Sequence, residues 1–262
     1  MRNEIEEERG FRVAETGVEA VLDAIWPATD MLSVNGTRLL RRSVKLKRAL
    51  HLTAPGATTA ARTRLRLGRE GGRIGATLQT KIALGEGVSR EIALGKATGK
   101  DGLADLAARF GVAACAIAKE RLTLSYKYRR GSDSTVRASR VKLTLDRIRA
   151  VDLAAGAPVE GPVLWQFECE GERSWPFASE LFATDLRPWL TSTECPVALD
   201  WASFLERQGL GGAVQAPPFV LAGLSGREIA ALADGVLSAA FDTDHGHAVP
   251  LPWDPADTQS AA

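Results

Sequence analysis

Polar and apolar side chains alternate at every second position through much of the first two-thirds of this 262-residue chain. Successive side chains of a β-strand point to opposite faces of its sheet, so this period predicts strands. Residues 62–67 show it clearly, since every second position is an arginine. The other alternating segments are 4–8, 41–52, 76–82, 90–94, 119–129, 140–146 and 164–172. Together they predict about eight strands.

A helical period replaces the alternation elsewhere. It predicts helices over residues 18–25, 101–110, 177–190, 199–208 and 225–241. Pro27 ends the first helix, because proline cannot continue one. Asp101 is expected to cap the second helix and Gly111 to end it, while Ser225 and Glu228 have the spacing of a capping box in the last. These helices are expected to cover the outer face of a sheet.

The change of period divides the chain into three parts. Residues 1–205 carry the strands, 206–241 form a helical extension, and 242–262 are rich in Asp, Pro and small residues. A tail of that composition is expected to be disordered. His245 and His247 lie in it near two aspartates, and a solvated tail is favoured there over a metal cluster.

The polar positions carry both charge signs, but in separate strands. One interpretation is that they form the solvated face of an ordinary sheet. The predicted helices already cover the apolar faces, however, so we favour an inward-facing polar surface, with the sheet closed into a barrel. An unpaired ion in a dry lumen costs several kcal/mol. A polyanion together with a divalent metal would supply the missing counter-charges.

Composition narrows the class of protein. The net charge is only +1, which argues against a broad basic surface for nucleic acid. No stretch approaches the roughly 20 apolar residues of a membrane span, and a cytoplasmic protein without a membrane partner is expected.

The cysteines are Cys115, Cys169 and Cys195, whose odd number and wide spacing disfavour a zinc site or a disulfide framework. Cys115 is expected in the core.

Several segments, taken in order, resemble the CYTH-type triphosphate tunnel metalloenzymes over roughly residues 1–205. They are Glu4-Ile5-Glu6, Arg64-Leu65-Arg66, Leu78-Gln79-Thr80-Lys81, Arg90-Glu91, Lys119-Glu120-Arg121, Leu143-Thr144-Leu145-Asp146 and Glu168-Cys169-Glu170. The resemblance implies an α+β fold, an eight-stranded antiparallel β tunnel with helices packed outside. It also implies a triphosphate or polyphosphate ligand and Mg²⁺ or Mn²⁺ as cofactor.

The resemblance also implies roles for individual residues. The implied metal ligands are Glu4, Glu6, Asp146, Glu168 and Glu170. The implied substrate-binding residues are Arg64, Arg66, Lys81, Arg90, Lys119, Arg121 and Arg140. The implied catalytic residues are Glu4, Glu6, Lys81 and Arg64. The chain departs from the family at Glu8, where a lysine is usual, and at Ile92 and Leu94, where acidic residues are usual. Both departures bear on hydrolysis more than on binding.

The expected function is metal-dependent hydrolysis of a phosphoanhydride bond, with adenylyl cyclase or thiamine triphosphatase activity as lesser possibilities. The alternative is a non-enzymatic module that binds polyphosphate, a nucleotide or RNA. Few aromatic residues accompany the basic ones, which argues against RNA because single-strand binders stack bases on aromatic rings. Within the basic run 38–48, a solvated strand edge is favoured for Arg42 and Arg48. The choice of triphosphate and the oligomeric state stay open.

Overall fold

The computed structural model describes residues 3–25, 37–58, 60–70, 72–85, 88–130, 139–171, 190–195, 205–206, 209–210 and 214–242. Within these ranges the strands are β1 (Asn3–Val13), β2 (Thr37–Thr53), β3 (Ala61–Glu70), β4 (Arg73–Gly85), β5 (Val88–Ala97), β6 (Val112–Arg130), β7 (Ser139–Asp152), β8 (Ala157–Pro158), β9 (Leu164–Gly171), β10 (Leu190–Cys195) and β11 (Val214–Val220). The helices are α1 (Val18–Ile25), α2 (Lys100–Phe110) and α3 (Gly226–Phe241). None of these helices is long and apolar enough to cross a lipid bilayer.

Eight of the strands pair in a continuous antiparallel order, β6, β2, β3, β4, β5, β1, β9 and β7. A further antiparallel ladder joins β7 back to β6, so the hydrogen-bonded pairings return to the strand where they began. The three other strands attach to this ring, β8 on β7, β10 on β1 and β11 on β6. The predicted eight-stranded antiparallel architecture is therefore confirmed.

The main apolar core lies outside the ring. It contains leucines of β2, β3 and β4, among them Leu50, Leu65 and Leu78, packed with α2 and α3. Each fully buried leucine contributes roughly 1.5–3 kcal/mol relative to an exposed one. Because the apolar side of these strands faces the helices, their other side, which carries the charges, faces the interior of the ring. Helices outside and charges inside were both expected from the alternation.

The helix boundaries follow the predictions with two corrections. α1 spans the predicted residues. The last residue of α2 is Phe110, and the predicted Gly111 follows it as the C-cap, with a left-handed φ of 82°. Asp101 is not the N-cap of α2, because Gly99 holds the extended capping position and Asp101 lies in the first turn, where its charge favours the helix dipole. Leu190 begins strand β10, so the helix predicted over 177–190 does not include it. Most of the helices predicted over 177–190 and 199–208 lies outside the described residues.

The capping box predicted for α3 is present. Ser225 Oγ accepts a hydrogen bond from the backbone N–H of Glu228, and the Glu228 carboxylate accepts one from the backbone N–H of Ser225 at 2.8 Å. The Ser225 hydroxyl also donates to the Glu228 carboxylate at 2.7 Å, and this bond, and after it the backbone one, lower the pKa of Glu228. The start of α3 is therefore fixed by local sequence, before any tertiary contact.

Gly226, the first residue of α3, is a point of close backbone contact with α2. A Cβ atom at position 226 would lie 1.8 Å from the carbonyl oxygen of Lys100. We expect Gly226→Ala to lower the free energy of unfolding by about 1–3 kcal/mol, the usual cost of overpacking. Chemical denaturation measures this. The matched control is Gly235→Ala in the same helix, where nothing lies within 4 Å of the new Cβ. It should stabilise by roughly 0.5–1 kcal/mol, and equal stabilities for the two variants would contradict the packing.

A partly buried group of charges ties the C-terminal end of α3 to the outer face of β2, β6 and β7. Glu120 accepts a hydrogen bond from Arg48 Nε at 2.7 Å and lies 3.3 Å from Arg147 Nε. Both guanidinium groups lie over the ring of Phe241, at 5.5 and 4.9 Å from its centroid, and Arg48 also pairs with Asp242. The prediction of a solvated strand edge is thus wrong for Arg48, because α3 covers that face.

One end of the ring is filled by apolar side chains. Ile117, Ile148 and Leu164 occupy the same faces of β6, β7 and β9 as the interior charges further along these strands. They form a buried cluster with Leu205 and Leu210. The predicted burial of Cys115 is confirmed, and the structure places it in this cluster. The charged part of the interior therefore begins where this apolar plug ends.

Candidate functional site

The interior of the ring has two chemically distinct walls. Strands β6, β2, β3 and β4 are neighbours, and their inward register positions form a cationic wall. Its members are Lys45, Lys47, Arg62, Arg64, Arg66, Lys81, Lys119 and Arg121. Strands β5, β1 and β9 are also neighbours, and the glutamates at their inward register positions form an acidic wall, beyond which Arg12 pairs with Gln166. Its members are Glu4, Glu6, Glu8, Glu91, Glu168 and Glu170. β7 completes the ring between β9 and β6, with Lys142 and Asp146.

Next to the apolar plug, Asp146 anchors a network of charges. Its side chain is fully enclosed, and it accepts hydrogen bonds from Lys119 Nζ at 2.6 Å and from Arg121 Nε and Nη2, both at 2.6 Å. The same Arg121 group also donates to Glu168, whose other oxygen lies 3.9 Å from Lys119 Nζ. Both oxygens of Asp146 are thus engaged by cations, which argues against the metal-ligand role predicted for it.

Glu168 is held in its charged form. Burial alone would raise its pKa, but Arg121, Lys119, Lys81 and Arg64 outweigh burial and lower the pKa far below its ordinary value. For Arg121 burial acts in the opposite direction and would lower the pKa. The charges of Asp146 and Glu168 outweigh burial, so the pKa of Arg121 is raised. The two groups therefore stay ionised together at neutral pH.

The lowered pKa of Glu168 predicts a pH dependence of stability. A carboxylate whose pKa is lower in the folded state stabilises the fold above its unfolded pKa, and this contribution is lost as the pH falls toward the folded value. We therefore expect wild type to be more stable than Glu168→Gln at pH 7, with the difference shrinking once the pH falls below the ordinary glutamate value of 4.5. Urea denaturation from pH 7 to 3 measures both proteins. A difference that does not change with pH would contradict the ion network.

A second network joins the two walls. Arg64 of β3 donates from Nη2 to Glu91 of β5 at 2.6 Å, and Lys81 of β4 places Nζ 3.8 Å from the same carboxylate oxygen. Burial would raise the pKa of Glu91, but Arg64 and Lys81 lower it overall. Lys81 is almost fully buried, whereas Arg64 and Glu91 are about one-fifth exposed. The ion pair of Arg64 and Glu91 is therefore accessible from the interior of the ring.

The acidic wall continues through β1. The ladder pairs Glu4 with Glu91, Glu6 with Ser89, and Glu8 with Glu170. These pairings place the three β1 glutamates on the inward face of the strand. The structure describes their backbone but not their side chains. The Glu170 carboxylate accepts a hydrogen bond from Lys142.

The remaining predicted residue of β7 is Arg140, which pairs with Lys127 across the β6 ladder. The structure describes only its strand position, not its side chain.

His51 lies on the cationic wall and was not predicted as a site residue. It pairs with Arg66 on one side and with Ile117 on the other, next to the apolar plug. Burial, and after it Lys119 and Arg64, lower the pKa of His51 well below 6.5. The imidazole is therefore neutral at pH 7, and the charge of this wall comes from its lysines and arginines.

The donors of the acidic wall fit a hard divalent cation. Mg²⁺ and Mn²⁺ prefer carboxylate oxygens, and three adjacent strands together place six glutamates on this wall. Among the side chains that the structure describes, no three His, Cys, Asp or Glu residues form a metal-binding group. A complete site would thus need the β1 glutamates in addition to Glu168 and Glu170.

Comparison with solved structures finds similar chains at low sequence identity. PH1819 of Pyrococcus horikoshii is 18% identical, with a TM-score of 0.41 over 77% of this chain and 98% of that one. HpAC1 of Hippeastrum, described as having a dominant triphosphatase activity, is 14% identical, with a TM-score of 0.38 over 80% and 99% of the two chains. An RNA triphosphatase of S. pombe is 12% identical, with a TM-score of 0.33 over 81% and 85%. No protein-family model and no curated protein matches the sequence.

One predicted site residue lies on the wrong face. Arg90 pairs with Ile82 of β4 and Ile5 of β1, so it shares their outward face, and the inward residue of β5 is Glu91. The ladder between β4 and β5 has irregularities after Leu78 and after Ala83. Arg90 was placed inward by the family resemblance, whereas the ladder pairs the inward Lys81 with its neighbour Glu91. Ile92 likewise lies outward, so its lack of charge removes nothing from the interior.

Proposed function

We propose that the chain binds a triphosphate or polyphosphate inside the ring and hydrolyses a phosphoanhydride bond of it in a metal-dependent reaction. The observation that supports this most is the separation of the two walls. A cationic wall matches phosphate oxygens, and an acidic wall matches the cations that accompany a polyphosphate. An anion held between them would have counter-charges on both sides.

Each wall then has a defined chemical role. The cationic side chains clamp the phosphates, and the arginines do so with a planar fork that stays charged at any working pH. The proposed clamp consists of Arg64, Arg66, Lys81, Lys119 and Arg121, with Arg140 further along β7. Fixed charges aimed at the reacting phosphoryl group stabilise its transition state, and Arg64 and Lys81 are the proposed catalytic members.

The carboxylates Glu4, Glu6, Glu168 and Glu170 would hold Mg²⁺ or Mn²⁺. A metal bound there would neutralise phosphate charge and lower the pKa of an attacking water. Glu4 and Glu6 are proposed as catalytic through this role. Arg90 is left out, because its register position faces outward.

The test is a turnover assay on purified protein. It is incubated with tripolyphosphate, ATP or thiamine triphosphate, each with Mg²⁺, Mn²⁺ or EDTA, and released phosphate, pyrophosphate and cyclic AMP are measured. We expect release of phosphate from at least one substrate, with metal and not with EDTA. Release of pyrophosphate with cyclic AMP would indicate a cyclase instead.

The second candidate is a binding module that holds a polyphosphate without cleaving it. Glu8 favours it, since it stands where the resembling enzymes have a lysine. Absence of turnover, combined with a higher melting temperature in tripolyphosphate, would support this module. Absence of both turnover and stabilisation would overturn both proposals.

A further inference from the structure

Each described carboxylate of the acidic wall is already bound to a cationic side chain. Glu91 accepts from Arg64, Glu168 accepts from Arg121, and Glu170 accepts from Lys142. The N–H groups that would grip a phosphate are therefore the groups that these carboxylates now hold. An incoming anion must compete with the protein's own carboxylates.

The pair of Arg64 and Glu91 is the one in which this competition is most direct. Arg121 is anchored in any case by two hydrogen bonds to Asp146, and losing Glu168 would leave it there. Arg64 has no such anchor among the described residues, since its hydrogen bond goes to Glu91 and its buried Nε has no hydrogen-bond partner there. Its guanidinium therefore changes partner more readily than that of Arg121.

The geometry allows the exchange to happen within the interior. Arg64 and Glu91 come from β3 and β5, on either side of β4, and both are exposed by about one-fifth. Lys81 of β4, between them, lies 3.8 Å from Glu91 and is buried on the same inward face. An anion arriving here competes with Glu91 for the Nη2 group of Arg64.

We propose that Glu91 is an internal competitor for the anion, holding Arg64 until the ligand, or a cation bound to Glu91, separates the pair. This rests on the proposed function of the tunnel. Removing the negative charge of Glu91 should then strengthen anion binding even in the absence of metal, although Glu91 is itself part of the site. A charge-assisted hydrogen bond is typically worth about twice a neutral one. We expect roughly a 10-fold gain in affinity, equivalent to about 1.4 kcal/mol.

The experiment is calorimetric titration of tripolyphosphate into the full chain in EDTA. Glu91→Gln keeps the size of the side chain, and Glu91→Ala is a second variant in case glutamine holds Arg64 by its amide oxygen. The matched control is Asp234→Asn, which removes the same charge from an exposed carboxylate paired with Arg69 on the outer face. We expect about 10-fold tighter binding for the Glu91 variants, and a control within about twofold of wild type.

Glu91 variants that bind no more tightly than Asp234→Asn would overturn the proposal. If wild type binds tripolyphosphate and the Glu91 variants merely equal it, only the competition is refuted and the proposed function stands. If neither wild type nor any variant binds, the proposed function fails as well. Circular dichroism of each variant confirms that the compared proteins are folded.

Discussion

The Glu168→Gln, Glu170→Gln variant is expected to lose metal-dependent hydrolysis of tripolyphosphate while it keeps its fold. Glutamine preserves the volume of each side chain but removes the negative charge that a divalent cation requires. Residues that merely orient metal ligands are worth about 10–100-fold in metal affinity or activity, so loss of two ligands should cost roughly 100-fold or more. Phosphate release at a series of Mn²⁺ concentrations measures the effect, and the melting temperature reports the fold.

The fold should survive because the cations nearby keep another partner. Arg121 and Lys119 remain bound to Asp146 when the charge of Glu168 is removed. The control is Asp105→Asn with Asp234→Asn, which removes two exposed charges from the helices. It should retain wild-type turnover. Full activity in the Glu168 and Glu170 variant would show that these carboxylates do not hold the metal, and an unfolded variant would assign them a structural role instead.

Arg64→Ala is expected to weaken tripolyphosphate binding by about 10–100-fold. Hydrogen bonds to charged groups are worth roughly 1.5–3 kcal/mol, which corresponds to that range. Two effects add here, because the variant removes a phosphate donor and leaves the Glu91 carboxylate without its guanidinium partner. Calorimetric titration in the presence of EDTA measures the affinity without a metal contribution.

Arg69→Ala is the control for this variant. Arg69 lies on the same strand, but it pairs with Asp234 of α3 on the outer face, at 2.9 Å from Nε. The two variants remove the same charge from β3, on opposite faces of the ring. We expect Arg69→Ala to bind tripolyphosphate within about twofold of wild type, as for an exposed ion pair. Equal losses for both variants would mean that net charge, and not the interior clamp, governs binding.

The alternation in the sequence predicted the ring well where strands are regular. Through β2, β3 and β6 the charged and apolar faces follow from counting by twos, and the ladders pair them without a shift over 49–53, 61–70 and 115–125. The orientation of the two faces followed from the predicted helices. Helices that pack outside the ring require an apolar surface there, which leaves the charged face inward. The interior positions of Arg64, Arg66, Lys81, Lys119 and Arg121 could therefore be inferred.

The predictions of side-chain position and role were wrong where contacts between distant segments of the chain determine them. Arg90 was assigned to the interior by resemblance, but it pairs with the outward Ile82, and Glu91 beside it pairs with the inward Lys81. The enclosure of Asp146 depends on Lys119 and Arg121 from another strand, so no local pattern marks it as an ion-pair anchor. Arg48 looked solvated because its partners, Glu120 and Asp242, are distant in sequence.

The apolar plug was also missed as part of the interior. The run 112–118 indicated a core segment, yet Ile117 continues the inward face of β6 that carries Lys119 and Arg121. A strand can change from apolar to charged on one face when that face passes from a packed region into an open one. Only the ring shows that both regions lie within the same interior.

A crystal structure of the protein with tripolyphosphate would show whether the two walls face each other across an anion-binding interior. We expect phosphate density inside the ring, with Arg64 and Arg66 on one side and the glutamates of β1 and β9 on the other. Phosphate bound only on the outer faces of the strands, with the interior charges still paired to one another, would contradict this arrangement.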